Sequence, residues 1–575
     1  MPDTGLSAFV PSETPSVAIA AVSDPEKEAH LSVLPLYPVG AYALSGLAIF
    51  DTPGQPRKLI SLDTIQGYLL QIDPVSEDSR ILNARQIDAF QSSTGVALWP
   101  EQQPEQVWLA KGNEVLVGPL ETLVLEPVIS LPYTIDGVAV WQETLYISSK
   151  SAGYIFVYDA VSYQHITQFS LPGIGVEDIA VSAEYLWLCD QVEQTVYCLD
   201  RATGEQLVSV LTPFASPTGI AVPAETTPEG GLVWLAYAVE EPYVRDNPNT
   251  PEFPYQLTFR DRTFIHPLTF ERKDNYAVSN GYRVEMVYAE EIVPLDAVHI
   301  DQLEWRMALP ANTSRQRLVS VEPVGRPFTI EQVNGQDVAV FKFDRLEPHE
   351  RHLFGWRAQL EVRGIKYQLI PRQVENAAPL STELQQRYLV DDDELAMDLP
   401  IVREAARLAV GSETNLLRKV LSIRNYVYDR LSYGIRPAID TPDIVLERGI
   451  GSCGEYVGLL LALCRLNGIA CRTVGRYKCP PKADQMGILL EPEFNHVWIE
   501  FYVPGVGWLP MESNVDDVQE GGPYPTRFFM GLPWYHIEMA KEVPFERIQM
   551  ADDSLEVKLG DLALNHVRFK ILAAL

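Results

Sequence analysis

Short runs of mostly apolar residues, separated by turn residues such as glycine, proline and aspartate, follow one another through the first part of the 575-residue chain. Five of these runs begin with a similar four-residue anchor, at 46–49, 95–98, 137–140, 178–181 and 219–222. The intervals between the first residues of the anchors are 49, 42, 41 and 41 positions. Runs of this length bounded by turn residues predict β-strands, and the regular spacing predicts a structural repeat.

Each repeat has room for further strands. After the third anchor, strand-like runs lie at 144–149, 154–158 and 165–171, and after the fourth at 185–189, 195–199 and 206–211. Four strands in a period of about 40 residues are typical of the blades of a β-propeller. The region resembles propellers built from NHL-type repeats, most clearly over about 130–225.

We therefore expect a propeller of about five or six blades at 29–241, after an N-terminal tail at 1–28. The segment 31–36 is the expected outer strand of the last blade, where it would close the ring. A β-sandwich with accidental periodicity is the alternative fold for this region.

A proline- and asparagine-rich stretch at 242–254 predicts a linker after the repeats. Beyond it, alternating runs lie at 282–288, 303–309, 316–321, 339–343 and 352–362. Their alternation predicts an antiparallel β-sandwich at 255–370. Two more strand-like runs, 555–559 and 566–572, predict C-terminal strands at 551–575, returning to an earlier sheet.

The pattern becomes helical between the sandwich and the C-terminal strands. Apolar residues recur at helical spacing over 401–408, 416–431 and 457–466, and two strand-like runs then contain His496 and precede Glu512. This mixture predicts an α+β domain at 385–550. The whole chain is thus expected to be multidomain, with an all-β propeller and a β-sandwich before an α+β domain.

The chemistry of the α+β domain centres on Cys453, which lies between small residues just before the helical run 457–466. A helix N-terminus and a nearby imidazolium both favour the thiolate, which is the nucleophilic form of cysteine. The amide N–H groups of Cys453 and Gly454 are candidates to stabilise a developing oxyanion. His496 is the candidate base, and Glu512 the carboxylate that fixes its tautomer. A thiol, an imidazole and a carboxylate in this order along the chain are typical of thiol-based acyl transfer.

These three motifs resemble the transglutaminase-like superfamily of papain-related thiol enzymes, and the resemblance covers roughly 385–550. It implies a Cys453–His496–Glu512 triad that attacks amide or peptide bonds through a thioester. The family usually has aspartate where this chain has Glu512, and Asn514 is an alternative orienter of the histidine. The stretch 310–316 likewise resembles the β-domain that precedes bacterial transglutaminase-like domains.

Further candidates for the oxyanion site or cleft wall are Gly454, Tyr433 and Trp498, although a tyrosine or tryptophan on a strand is more often a packing residue. His536, after Trp534 and Tyr535, is expected to be structural. Neither the histidines nor the cysteines show metal-ligand spacing, so we expect no metal and no organic cofactor.

Composition limits the partners and the compartment. Six cysteines without a pairing pattern indicate reduced thiols, and no secretory signal or membrane-spanning run is evident, so we expect a cytoplasmic protein. The formal net charge of −32 argues against nucleic acid and anionic membranes as partners. The expected partners are a peptide or protein substrate and a protein bound by the propeller.

The sequence favours hydrolysis of an amide over cross-linking, because water is always available and no lysine-selecting feature is visible. Two alternatives stay open. In one, the thiol domain is a catalytically inactive scaffold and the propeller mediates protein interaction. In the other, the propeller or sandwich covers the cleft, as in a proenzyme.

Overall fold

The computed structural model describes residues 34–51, 57–99, 102, 104–246, 255–292, 299–392, 394–436, 438–541, 543–550 and 562–575. Most of the described structure is β, and the long helices lie between 382 and 466. The predicted tail at 1–28 and the strand-like run at 555–559 fall outside these ranges.

The anchors of the repeats are the first strands of small antiparallel sheets. Four four-stranded sheets follow one another along the chain, each in simple up-and-down order. Their strands are β1 (Leu44–Phe50), β2 (Lys58–Asp63), β3 (Tyr68–Ile72), β4 (Ser79–Ile81), β5 (Ser93–Trp99), β6 (Gln106–Lys111), β7 (Glu114–Pro119), β8 (Glu126–Ser130), β9 (Gly137–Trp141), β10 (Thr144–Ser149), β11 (Tyr154–Asp159), β12 (His165–Ser170), β13 (Val176–Val181), β14 (Tyr185–Asp190), β15 (Thr195–Asp200) and β16 (Gln206–Leu211). A short helix, α1 (Ile87–Phe90), lies between β4 and β5. The strands predicted after the third and fourth anchors are all present.

Glycine begins most of the anchors because the first strands approach one another closely. They neighbour each other in the cyclic order β1, β5, β9, β13, then β17 (Pro217–Ala221), and back to β1. A Cβ atom added to Gly95 would lie 2.7 Å from the Cα atom of Gly137, and one added to Gly46 would lie 3.0 Å from the Cα atom of Gly95. Side chains at these two positions would therefore clash with backbone of the next strand.

The predicted linker is wrong for the residues that the structure describes. Pro242 to Asp246 belong to β18 (Gly230–Asp246), which pairs with β19 (Tyr255–Arg272) from Gly230 opposite Glu271 to Asp246 opposite Tyr255. Leu36, at the end of the segment expected to close the ring, forms an antiparallel bridge with Ile265 of β19. Because the end of β19 also pairs with the next strand of the chain, one sheet crosses the boundary drawn at 242–254.

The strands predicted at 282–362 are present and form two sheets. They are β20 (Tyr276–Ile292), β21 (Ile300–Ala308), β22 (Gln316–Val324), β23 (Thr329–Val333), β24 (Gln336–Leu346) and β25 (Leu353–Tyr367). The first sheet runs β17-β18-β19-β20-β25-β22, and the second runs β23-β24-β21 and continues to β33 (Glu546–Gln549). Buried aromatic residues from both sheets, among them Trp305, Phe341 and Phe354, contact one another. The C-terminal strand β34 (Ala563–Ala574) returns to β20, as predicted.

The helices of this part are α2 (Thr382–Tyr388), α3 (Pro400–Val410), α4 (Leu416–Arg430), α5 (Pro442–Arg448) and α6 (Cys453–Leu466), with 3₁₀ turns at Pro371–Val374 and Ala483–Gln485. Of these, α3, α4 and α6 were predicted from the 3.6-residue period, whereas α2 and α5 were not. The strands of this part are β26 (Ser432–Tyr433), β27 (Ile450–Gly451), β28 (Cys471–Lys478), β29 (His496–Val503), β30 (Gly507–Met511), β31 (Gly531–Leu532) and β32 (His536–Ile537). The central sheet runs β30-β29-β28-β32 and packs against α6. Since α6 is buried on most of its faces, it forms the core of this part.

Side chains of the repeat region bond directly to the C-terminal part. Glu193 accepts a hydrogen bond from the backbone N–H of Thr526 at 2.8 Å, and Trp534 donates to the carbonyl oxygen of Pro213 at 2.9 Å. These residues are separated by more than 300 positions, so the contacts fix the two parts against each other. Across the described ranges, no helix has both the length and the apolar character needed to cross a bilayer.

Candidate active site

Cys453 is the first residue of α6, and its backbone is held by a capping box. The N-cap residue Ser452 donates its backbone N–H to Glu455 at 2.6 Å, and the side chain of Ser452 in turn accepts from the backbone of Glu455. Cys453 and Gly454 therefore occupy the first turn, where helix N–H groups have no acceptor within the helix. These two N–H groups are therefore the candidates to bind an oxyanion.

The buried carboxylate of Glu455 also fixes the chain that leads into the site. It forms an ion pair with Arg448 at the end of α5, and Arg448 also pairs with Asp440. The backbone N–H of Asp440 donates to Glu455 at 3.3 Å. One carboxylate thus ties the loop before α5 to the start of α6, which keeps the position of Cys453 defined.

His496 and Glu512 come from neighbouring strands of the central sheet. His496 begins β29, and Glu512 follows the last residue of β30, which pairs with β29. The Nε2 atom of His496 lies 2.9 Å from both carboxylate oxygens of Glu512. The two side chains are 2% and 1% exposed, so their interaction is screened little by water.

Cys453 lies close enough to His496 for each group to shift the pKa of the other. Burial disfavours the thiolate, but the hydrogen bond and positive charge of His496 outweigh burial and hold the pKa of Cys453 below its usual value. Burial likewise opposes the charge of His496, but Glu512 and Cys453 raise its pKa. Both shifts favour a thiolate–imidazolium pair at neutral pH.

Glu512 contacts His496 despite being one methylene longer than the aspartate usual in the family. Burial alone would raise its pKa, but the imidazole partners lower it well below the ordinary range. Its Oε2 atom also accepts the backbone N–H of Ser513 at 3.0 Å. The alternative orienter, Asn514, instead accepts from the hydroxyl of Ser513 at 2.9 Å, and the described contacts of His496 assign that role to Glu512.

The three cleft candidates differ in position. Tyr433 is 45% exposed, and β26 pairs with β27 so that Tyr433 lies opposite Gly451. Burial, and after it the charge of Cys453, raise the pKa of Tyr433. Trp498 does not form a cleft wall, because it is fully buried and its ring packs edge-on against His536 at 4.9 Å.

A cleft of about 630 Å³ lies along one face of α6, near the start of the helix. Its wall includes Gly454, which follows Cys453, and Val497, which follows His496. A Cβ atom on Gly458, one turn further along α6, would meet nothing within 4 Å. Small residues on this face of the helix therefore leave space for a bound group next to the thiol.

His536 is the site residue that the sequence did not reveal. Its Nε2 atom bonds to the Oε1 atom of Glu512, and its side chain is fully buried. It lies 24 positions after Glu512 on β32, at a position with no periodicity or motif to mark it. Only the pairing of β32 with β28 brings it to the site.

Two histidines and a carboxylate are also a set that binds metal ions. One ligand atom from each of His496, Glu512 and His536 lies within 4.8 Å of the others, which makes them the candidate metal group of the described part. These atoms already bond directly to one another, so a metal ion would have to replace both histidine–carboxylate hydrogen bonds. The arrangement fits a hydrogen-bonded cluster better than a metal site.

Comparison with known proteins agrees with the site. Residues 403–513 match the family model described as the transglutaminase-like superfamily. A protein-glutamine gamma-glutamyltransferase of Pseudomonas aeruginosa is 21% identical over an alignment of 268 residues, and the match covers 41% of this chain. The matched region spans 37% of the length of that curated relative.

Solved structures are more distantly similar. A protein of Cytophaga hutchinsonii described as a candidate cysteine protease has a TM-score of 0.36 and 15% identity, covering 51% of this chain and 92% of that one. Glutaminyl cyclase of Myxococcus xanthus has a TM-score of 0.26 and 13% identity, covering 41% and 95%. TM-scores below 0.5 are too low to support an assignment. The sequence match and the arrangement at Cys453 together identify a transglutaminase-like domain in the C-terminal half of this chain.

Proposed function

We propose that the protein is a thiol-dependent acyl-transfer enzyme that acts on amide or peptide bonds. The observation that carries the proposal is the placement of His496, whose Nε2 atom bonds to Glu512 and whose ring lies close enough to Cys453 to lower the pKa of the thiol. A buried imidazolium between a thiolate and a carboxylate is the arrangement that activates a cysteine nucleophile.

In the first half of the reaction, the Cys453 thiolate attacks the carbonyl carbon of the substrate and forms a carbon–sulfur bond. The N–H groups of Cys453 and Gly454 bind the negative oxygen, with the Tyr433 hydroxyl as a further donor. His496 gives its proton to the leaving amine, the carbon–nitrogen bond breaks, and an acyl thioester remains on Cys453.

In the second half, His496 accepts a proton from water or from an acceptor amine as that group attacks the thioester. The carbon–sulfur bond breaks and restores the thiolate. Hydrolysis is the favoured outcome, because water reaches an open cleft without a dedicated binding site. The named activity of the Pseudomonas aeruginosa relative supports a glutamine side-chain amide as one acyl donor to test.

Apolar side chains beside the site favour a peptide or protein substrate. Ile435 and Ile439, on the loop between β26 and α5, are each 73% exposed. Ile439 also lies within 2.9 Å of where a Cβ atom on Gly454 would be. A peptide side chain lying on this loop would bury apolar surface next to the scissile amide.

We infer that the repeat region is a five-bladed propeller that positions or recruits a protein. The cyclic order of the first strands supports this interpretation. So does the pairing of Leu36 with β19, which would add an N-terminal strand to the last blade. Closing the ring in this way joins the two ends of the repeat region without a new sheet.

The proposed activity is tested by the pH dependence of Cys453 alkylation with iodoacetamide, followed by peptide mass spectrometry in the intact protein and in His496→Ala. The expected midpoint lies below that of an ordinary thiol, because the pKa of Cys453 is lowered. The other five cysteines are buried thiols and serve as internal controls. If Cys453 alkylation in His496→Ala no longer has this lowered midpoint, the result supports the thiolate–imidazolium pair.

If Cys453 reacts no faster than the other cysteines, the enzyme proposal fails and the inactive-scaffold alternative gains support. A second assay separates the two acyl acceptors. A glutamine-containing peptide is incubated with and without a primary amine, with Cys453→Ala as the blank. Ammonia release without amine incorporation indicates hydrolysis, and incorporation of the amine indicates transfer.

A further inference from the structure

A second imidazole shares the carboxylate that orients the proposed catalytic histidine. The Nε2 atoms of His496 and His536 both bond to Glu512, His496 through both oxygens and His536 through Oε1. All three side chains are at most 2% exposed. Two buried groups that share one acceptor constrain its position more tightly than either group alone.

The protonation of His536 follows from its partners. An ionised carboxylate only accepts hydrogen bonds, so the Nε2 atom of His536 must carry the proton. Its Nδ1 atom is buried with no hydrogen-bond partner in the described structure. Protonation at Nδ1 would bury an unpaired charge, and burial accordingly lowers the pKa of His536 to about 3, although Glu512 opposes that shift. His536 is therefore a neutral donor, and His496 is the imidazole that titrates.

The ring of His536 is held in place by its neighbours. It packs edge-on against Trp498 at 4.9 Å and lies against Tyr535 at 5.1 Å, with Phe528 at 6.0 Å. Trp498 belongs to the strand of His496, so one aromatic residue supports both rings. The Nε2–H bond consequently has one direction available, toward Glu512.

The backbone of His536 is fixed from the sandwich. Arg315, which precedes β22, donates from Nη1 to the carbonyl oxygen of His536 at 3.1 Å and from Nη2 to that of Pro533 at 3.1 Å. Arg315 is only 3% exposed, so these bonds form away from water. Two residues on, Glu538 donates its N–H to Gln316 at 2.8 Å. The sandwich therefore sets the position of β32, and β32 sets the position of His536.

We propose that His536 is a positioning residue that holds Glu512 against His496, and that the sandwich acts on the thiol site through it. This inference rests on the proposed function. His536 does not touch the substrate or the thiol in this account. Its effect is to keep the carboxylate in place and ionised, which keeps His496 protonated and the Cys453 thiol deprotonated.

The test compares three variants by the pH midpoint of Cys453 alkylation and by kcat and KM on the glutamine peptide. His536→Leu removes the donor, whereas His536→Gln keeps an amide N–H that can reach the carboxylate. His266→Leu is the matched control, because His266 is fully buried, bonds to Tyr282 at 3.2 Å, and lies outside the site.

His536→Leu should raise the alkylation midpoint by about one pH unit, the size expected from losing one hydrogen bond to a charged group. It should lower kcat while KM stays within about twofold, since the substrate is not contacted. His536→Gln should restore most of the wild-type alkylation midpoint and kcat, and His266→Leu should change neither value. An unchanged midpoint in His536→Leu, or equal shifts in all three variants, would overturn the inference.

Two further measurements avoid dependence on the folding of the variants. In the unmodified protein labelled with ¹⁵N-histidine, His536 should remain a neutral Nε2–H tautomer from pH 5 to 9, and titration near neutral pH would contradict its role. The purified protein should also be analysed for zinc. If it contains one zinc ion per chain, and removing that zinc raises the pH midpoint of Cys453 alkylation, the three residues form a metal site and the positioning role is wrong. An ordinary thiol pKa for Cys453 in the unmodified protein would instead overturn the proposed function itself.

Discussion

The repeat region and the thiol domain each bury a carboxyl group that departs from its surrounding pattern, and the pKa values of the two acids are shifted in opposite directions. Asp178 stands where four of the five anchors have glycine, and Glu512 stands where the family usually has aspartate. Both are at most 1% exposed. Burial raises the pKa of Asp178 well above its ordinary value, whereas the pKa of Glu512 lies well below.

The partners explain the difference. The Oδ2 atom of Asp178 accepts the backbone N–H groups of Leu47 at 3.1 Å and Ile220 at 2.9 Å, from two other first strands. Neutral amides only partly offset the cost of burying a charge, so burial dominates and the pKa of this carboxyl is raised, while its hydrogen bonds tie three strands together. The positive charge of His496 does offset that cost at Glu512. Equal burial therefore shifts the two pKa values in opposite directions, according to the charge of the partners.

Replacing each acid by its amide tests this contrast most directly, and the largest effect is expected at the thiol site. Glu512→Gln keeps the shape of the side chain but removes the charge that stabilises the His496 imidazolium. We expect kcat on the peptide amide to fall by about 100-fold or more, by analogy with loss of charge at the third position of a catalytic triad. A variant with the full rate would show that the charge of Glu512 is not used.

The second effect is on the stability of the repeat region. Asp178→Ala leaves the N–H groups of Leu47 and Ile220 buried without their acceptor, at a cost of about 1–3 kcal/mol each. Hydrogen exchange at these two amides should accelerate strongly, while the alkylation midpoint of Cys453 stays unchanged. Unchanged exchange would mean that Asp178 does not join the strands.

A smaller effect is expected from Glu512→Asp, which restores the family residue in this backbone. The carboxylate retracts by about one C–C bond, roughly 1.5 Å, and cannot keep its contacts with both His496 and His536. We expect kcat to fall about tenfold, because small misplacements of a catalytic group reduce rate. An equal or higher rate would show that the longer side chain has no advantage here.

The smallest effect is expected from Asp178→Asn, since an amide resembles a carboxyl that is already protonated. The change in unfolding free energy at pH 4 should be under about 1 kcal/mol. The folded-state pKa of Asp178 is raised above 3.8, so the wild type loses stability as pH rises from that value, and Asp178→Asn does not. Hydrogen exchange at pH 4 and pH 8 should therefore show that the stability of Asp178→Asn, relative to that of the wild type, is higher at pH 8 than at pH 4. The pH dependence is opposite for Glu512. Its pKa is lowered in the folded state, so its contribution to stability is lost as pH falls.

Much of the local structure was predictable because it depends on short-range pattern. The strands after the third and fourth anchors and the helices α3, α4 and α6 follow from periods of 2 and 3.6 residues. The boundary at 242–254 was misplaced for a physical reason. Proline and asparagine indicate an interruption of regular secondary structure, but Pro242 lies within a long hairpin whose strand pairing outweighs that preference.

The sequence by itself determined the three candidate residues of the proposed site, since Cys453, His496 and Glu512 each lie at a recognisable helix or strand boundary in a known order. Only the tertiary structure brought His536 to Glu512, Arg315 to the backbone of His536, and Asp178 to the backbone of two other strands. Those contacts join residues 24 to 221 positions apart. Such long-range contacts depend on how sheets and loops pack against one another, and no local sequence pattern encodes them.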